Sequence, residues 1–240
     1  MNRVAIIASM GGELKPLVRG WERERRSGVD LWRWRHGGGE WVAACAGAGV
    51  DAAARALAEI ERDGAIGSAV SIGWAGALSG EFAAGRAYRV SGVIDARTGE
   101  RFGVDAPSGG CLLVTSSGVA DRAEKRRLAA AHGASLVDME AAGVARLAAA
   151  RGVPFFCVKG VSDGPADRLP DFNAFISGEG RFQWARFIFF AVIRPWHWPA
   201  LMRMLRNTRE AARSAGESLL DVLDERGTFR RRDGRPGTEG

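Results

Sequence analysis

"SLVDMEAAGVARLAAARGVPFFCVKGVSDG", residues 135–164, is the stretch whose reading decides the fold. Its middle is Ala-rich, and Ala141, Val144, Leu147 and Ala148 recur with the period of a helix that buries one stripe. Asp138 is a candidate N-cap and Gly152 a candidate terminator, since a short polar side chain can accept helix N–H groups and glycine tolerates the left-handed turn. Pro154 ends any continuation, and "FFCVKGV" then reads as a buried strand. Two acids mark the boundaries: Glu140 where the helix begins and Asp163 where the strand ends.

The same alternation extends outward. "VAIIAS" (4–9), "SAVSIGWAGAL" (68–78), "AYRVSGVIDA" (87–96) and "GCLLVTSS" (110–117) read as strands. "DLWRWRHGGGEWVAACAG" (30–47) reads as two strands around a glycine turn. "VDAAARALAEIERDG" (50–64) and "VADRAEKRRLAAAHG" (119–133) read as helices closed by glycine, the second with a polar face. Strands alternating with helices predict a three-layer α/β/α fold around a central mixed, largely parallel sheet. From residue 181 the character changes. "RFQWARFIFFAVIRPWHWPALMRML" (181–205) is apolar, aromatic and Arg-rich, and Leu201, Met204, Leu205, Thr208, Ala212, Ala215, Leu219 and Val222 keep a helical period. The expected division is a catalytic domain at 1–180, an amphipathic helical extension at 181–225 and a disordered tail at 226–240.

With 240 residues and 46% apolar content, the chain can bury a full core. The N-terminal apolar run is too short for a secretory signal, and no segment reaches the ~20 apolar residues that span a bilayer. Cys45 and Cys157 lie in apolar runs and read as reduced core thiols, so a cytoplasmic protein is expected. The net charge of +6 is concentrated near the C-terminus: residues 181–213 hold seven Arg and one acid, Glu210. It gives no ground for a nucleic-acid partner.

Several chemistries are excluded. Gly47, Gly49 and Ala52 in "CAGAGVDAA" fit a dinucleotide fingerprint, but the next strand, "SAVSIGWAG", lacks the ribose-binding acid. Glycines that turn the backbone near a ligand, or that let helix and strand approach, explain the motif better. His36, His132 and His197 are far apart, so no metal set is expected. A serine nucleophile elbow is missing. What remains is a set of acids at strand ends, where ligands collect in open α/β sheets. Asp163 follows its strand, Glu13 lies just beyond the first strand, and Glu140 stands at a positive helix end that favours its ionised form.

At these residues the sequence resembles the purine nucleoside phosphorylase superfamily, and within it the methylthioadenosine/S-adenosylhomocysteine nucleosidases. "VAIIASMGGELKPL" is similar to the family's opening strand and acidic loop, with Glu13 at the catalytic glutamate. "SIGWAGAL" resembles its ribose-side glycine loop, with Ala75 and Gly76 against substrate. "VDMEAAGVA" resembles its Met-Glu signature, with Met139 under the sugar and Glu140 on its hydroxyls. "VKGVSD" resembles its purine-side segment, with Asp163 as the acid, and Val119 and Ala120 fall in the segment that holds the base. The resemblance implies cleavage of an N-glycosidic bond. Asp163, its pKa raised by burial, protonates purine N7, Glu140 orients the ribose, and Glu13 holds the nucleophile. It also implies no cofactor or metal, phosphate or water as co-substrate, and a homodimer.

The pattern departs from the family at four places. Trp74 replaces a small polar residue, "TSSGVA" lacks an aromatic to stack on the base, Lys159 stands where Arg is common, and the segment between Ala96 and Cys111 is short. The short segment is expected to leave the 5′ end of the pocket open. The C-terminal stretch resembles the tail of the hopanoid-associated phosphorylases, a branch that cleaves adenine from adenosylhopane. That resemblance implies a lipid-linked nucleoside and peripheral membrane contact through residues 181–213, with Trp184, Trp196 and Trp198 at the interface. Methylthioadenosine/S-adenosylhomocysteine hydrolysis in methionine salvage, and a non-catalytic nucleoside-binding role, stay open as alternatives.

Overall fold

The computed structural model describes residues 2–36, 39–105, 109–167, 171–177, 182–194, 196 and 198–225. The tail at 226–240 and His197 lie outside the described residues. Strand β1 (Asn2–Ala8) sets up the layers. Its side chains alternate: Val4, Ile6 and Ala8 enter one core cluster, and Ala5 and Ile7 enter another on the opposite face. A strand buried on both faces needs an unbroken apolar run, which is why "VAIIA" reads as it does.

After the short helix α1 (Gly11–Leu14) come β2 (Glu22–Arg26), β3 (Val29–His36) and β4 (Gly39–Cys45), the last parallel to β1. β2 has the sequence "ERERR" and was not expected from the sequence; among the described residues it pairs only with β3, at the sheet edge, where charge is tolerated and discourages edge pairing. Helix α2 (Val50–Glu61) leads to β5 (Ser68–Ala77), parallel to β1. β6 (Ala87–Asp95) and the three-residue β7 (Arg101–Gly103) form a hairpin, and β8 (Cys111–Thr115) lies parallel to β6. Helix α3 (Arg122–His132) ends on Gly133 in the left-handed conformation. β9 (Leu136–Asp138), α4 (Ala141–Arg151) and β10 (Phe155–Asp163) follow, β10 being buried along its whole length.

β5 belongs to two assemblies. On one side it continues the sheet through β1, β4, β3 and β2; on the other it pairs with β10 and β9, and the pairings β10–β6, β6–β8 and β8–β9 close a ring. Helices α2 and α4 cover one face with Ala53, Ala56, Leu57, Ile60, Ala141 and Val144. The opposite face is covered by Ala215, Leu219, Val222 and Leu223 of α6 (Trp198–Glu225), packed on Val4, Ile6, Val70 and Ile72. The expected three-layer α/β/α architecture is therefore present, with a mixed sheet.

Two boundaries differ from expectation. Asp138 is not the N-cap of α4: it ends β9, paired in register with Thr115, and Glu140 takes the cap position. Asp138 still accepts the Ala141 N–H at 2.9 Å. The helix expected to form part of an extension from residue 181 is, from Asn207 on, a layer of the main core. Gly160 permits that docking, since a Cβ there would lie 2.5 Å from the Ala211 carbonyl oxygen. The first half of α6 and helix α5 (Trp184–Val192) behave differently. Among the described residues the exposed large apolar side chains are Ile188, Phe189, Val192, Ile193, Trp196, Trp198, Met202 and Leu205, all between residues 188 and 205.

Candidate active site

The expected acids gather at the carboxyl ends of β1, β9 and β10, in two groups. The first holds Glu13, Glu140, Asp138 and Lys159. Glu13, in the first turn of α1, is buried, and its Oε2 accepts from the Ser9 N–H (2.8 Å), the Ser9 hydroxyl (2.9 Å) and the Met10 N–H (2.8 Å). Among the described residues Oε1 accepts only from the Trp74 N–H, at 2.8 Å, so it retains a lone pair for a further donor. Room for this carboxylate comes from Gly73: its φ is +150°, and a Cβ there would sit 2.7 Å from Glu13 Oε1. Burial pushes the Glu13 pKa up, against the lowering effect of these hydrogen bonds.

Glu140 is buried and its Oε1 accepts from the Gly49 N–H at 2.9 Å. Gly49 caps α2, so the glycines that mimic a dinucleotide motif instead present a helix N-terminus to this acid. The expectation that the helix end keeps Glu140 ionised is corrected here. Burial first, and the neighbouring Asp138 carboxylate second, push its pKa up to about 8. Lys159 is the cation of the group: its side chain is 1% exposed, Nζ lies 2.8 Å from Asp138 Oδ2 and 3.0 Å from Ser71 Oγ, and the charge of Asp138 raises its pKa above the ordinary lysine value against the effect of burial. Asp138 also accepts from Thr115 Oγ1 at 2.7 Å.

The high Glu140 pKa carries a testable sign. Between about 4.5 and about 8 the folded protein holds a proton that the unfolded chain has released, so stability falls as pH rises across that window, by up to ~1.4 kcal/mol per pH unit. Urea unfolding of Glu140→Gln is expected to show a flatter pH profile and greater stability than wild type at pH 8.

The second group surrounds Asp163. Its Oδ2 is paired with Lys125 Nζ, its Oδ1 lies 2.5 Å from Ser162 Oγ, and the Lys125 ammonium also donates to the Gly164 carbonyl at 2.7 Å. Lys125 was missed from sequence, where it sits in the charged run "AEKRR" of a helix read as polar. A cavity of about 820 Å³ is lined by Asp163, Lys125, Val119, Ala120 and Phe172 among others. Phe172 therefore supplies an aromatic wall that "TSSGVA" does not. The Val119 N–H donates to Asn173 Oδ1 (2.7 Å) and its carbonyl accepts from Asn173 Nδ2 (2.9 Å).

Not every expected residue meets the others. Glu13 and Glu140 do not line the cavity that Asp163 lines. Ala75 is buried in the core, Met139 is half-buried, and Gly76 abuts the Lys125 side chain. The two groups are nevertheless linked by register. Glu13 lies over Gly73 and Trp74 of β5, and Asp163 pairs with Gly76 three residues on, about 10 Å along the strand. That is the scale of a nucleoside. Trp74 does not fill this interval with a free ring: its indole N–H donates to the Thr208 carbonyl of α6 at 2.9 Å, with the ring edge near Gly12.

Residues 97–183 match the model of the phosphorylase superfamily. Among solved structures, the methylthioadenosine/S-adenosylhomocysteine nucleosidase of Helicobacter pylori superposes with a TM-score of 0.69 at 15% identity, covering 94% of this chain and 99% of that one. The chain has the phosphorylase-superfamily fold. Futalosine hydrolase of the same organism gives 0.70 at 14% identity (93% and 98% covered), and the Neisseria meningitidis nucleosidase 0.66 at 17% (94% and 100%). No curated protein sequence matches the chain. Lys125, Glu140 and Asp163 fall within the superfamily match, while Glu13 and Gly76 precede it.

Proposed function

We propose that this chain cleaves the N-glycosidic bond of a 5′-substituted adenine nucleoside. The observation that carries the reading is the register of β5 and β10. It offsets Glu13, which lies over Gly73, from Asp163, which pairs with Gly76, by three residues of β5, and this supports reading them as the two ends of one nucleoside site in a fold seen also in nucleosidases. Glu140 takes the ribose hydroxyls, Glu13 Oε1 holds the nucleophile, and Asp163 serves the departing base. The Val119 N–H and carbonyl, which the Asn173 carboxamide covers, are a donor beside an acceptor, the pair that a 6-aminopurine edge would match on displacing Asn173, which favours adenine.

Water is the favoured nucleophile. Among the described residues no Arg bonds to Glu13 or Glu140, and Lys159 is engaged with Asp138 and Ser71. Incubation with 5′-methylthioadenosine is expected to release free adenine at the same rate with and without phosphate. An absolute phosphate requirement would make the enzyme a phosphorylase, and binding without turnover would overturn the reading.

The substituent proposed for the 5′ carbon is a lipid, as in adenosylhopane. Ala200, Arg203, Met204 and Asn207 of α6 stand around a small hollow beside Asp163, while Met202 and Leu205 of the same turns face outward with the exposed apolar residues of α5. Arg186, Arg194, Arg203, Arg206 and Arg209 accompany them, with no acid between 182 and 209. Apolar residues ringed by arginine suit an anionic membrane surface. No described helix is long and apolar enough to cross a membrane, so contact would be peripheral. The protein is expected to sediment with anionic vesicles at low salt and less at high salt. A stable homodimer that stays in the supernatant would instead assign this face to a second copy.

A further inference from the structure

Lys125 is 3% exposed on a helix whose neighbouring Arg126 and Arg127 face solvent. A lysine is buried so fully only where its charge is matched. Its ammonium has three N–H donors; Asp163 Oδ2 and the Gly164 carbonyl take two, and the side chain lines the same cavity as Asp163. On the other oxygen of Asp163, the Ser162 hydroxyl has one hydrogen and two acceptors in reach, Asp163 Oδ1 at 2.5 Å and the Ala75 carbonyl at 3.2 Å. When Asp163 is ionised, Ser162 donates to it. When Oδ1 carries a proton, Asp163 donates to Ser162, whose hydrogen turns to Ala75. Both protonation states of Asp163 are thus hydrogen-bonded without rearrangement of the chain.

We infer that Lys125 is a positioning residue that supplies, through Asp163, the proton taken by the departing base. The inference rests on the proposed nucleoside cleavage and adds the source of the proton. Among the described residues Lys125 is the one cation bonded to Asp163, so a proton that Asp163 gives up is most directly replaced from it. Sheltered from water, an ammonium–carboxylate pair is separated from the amine–carboxylic acid pair by one proton shift along one hydrogen bond, and low polarity favours the uncharged pair. As the C1′–N9 bond breaks, its electron pair goes to the purine and N7 takes the Asp163 proton. The Lys125 proton passes to Asp163, leaving a neutral amine. Water adds to C1′ and gives its proton to Glu13, and exchange with solvent restores Lys125 and Glu13. The sum is nucleoside plus water to free base plus sugar.

The test compares two substrates in wild type, Lys125→Met and Lys125→Arg: an adenine nucleoside, whose base needs a proton, and 4-nitrophenyl riboside, whose phenolate leaves without one. Lys125→Met is expected to lower kcat on the nucleoside by ~10²-fold or more with KM little changed, and to leave nitrophenol release nearly as in wild type. Arg keeps the charge but does not part with its proton at such pH, so Lys125→Arg is expected to regain stability without regaining nucleoside turnover. Equal losses on both substrates would show a purely structural role. An undiminished nucleoside rate in Lys125→Met, or its rescue by Arg, would overturn proton supply. A wild type that releases neither base nor nitrophenol would sink the nucleosidase reading itself, a result distinct from these.

Discussion

Asp163→Asn is expected to lower kcat for adenine release by ~10²–10⁴-fold, the usual worth of a general acid. The amide keeps the shape of the carboxyl group but cannot pass a proton. The same substitution is also expected to cost stability. Asp163 and Lys125 are both buried and paired, with side chains 10% and 4% exposed. Removing one partner of a buried pair costs about 3–5 kcal/mol, because the remaining charge keeps its desolvation without its counterion. The two effects separate by measurement: kcat at a temperature well below the variant's unfolding midpoint, and urea unfolding for the stability. A variant that turns over at the wild-type rate would remove Asp163 from the chemistry.

The second large effect is expected at Lys159. It is the cation set among Asp138, Glu140 and Glu13, with its Nζ 2.8 Å from Asp138. Lys159→Met preserves most of the volume and leaves the acids to one another, at a cost of about 3–5 kcal/mol near neutral pH. The sign with pH follows from which acids ionise. Burial already pushes Glu13 and Glu140 up, so these two acids take up protons readily on acidification and the variant should recover part of its stability as pH falls. Urea unfolding at several pH values measures this. A loss independent of pH would mean that packing, not charge, holds Lys159 in place.

How much of this was visible in the residues depends on what each one touches. β1, β5 and β10 are buried on both faces, so their apolar runs announce them. β2 is charged and β9 has three residues; neither leaves a periodic trace, and the ring that closes through β9 depends on pairings far apart in sequence. Glu13, Glu140 and Asp163 were recognisable because they stand at element ends in recognisable motifs. Lys125 was not, since a lysine among "AEKRR" looks solvated until the helix is docked over Asp163. Gly49 carried the wrong suggestion for the same reason: its partner, Glu140, lies 91 residues away. The Glu140 pKa depends on a third dimension as well, because only the fold brings burial and Asp138 together around it.

A crystal structure with a non-hydrolysable 5′-substituted adenosine analogue tests the central claim most directly. The account predicts purine N7 within hydrogen-bond reach of Asp163, the ribose hydroxyls on Glu140, and a water or its mimic on Glu13 Oε1. A nucleoside seated elsewhere, or one whose base meets Asp163 while its ribose points out through the cavity mouth, would contradict it.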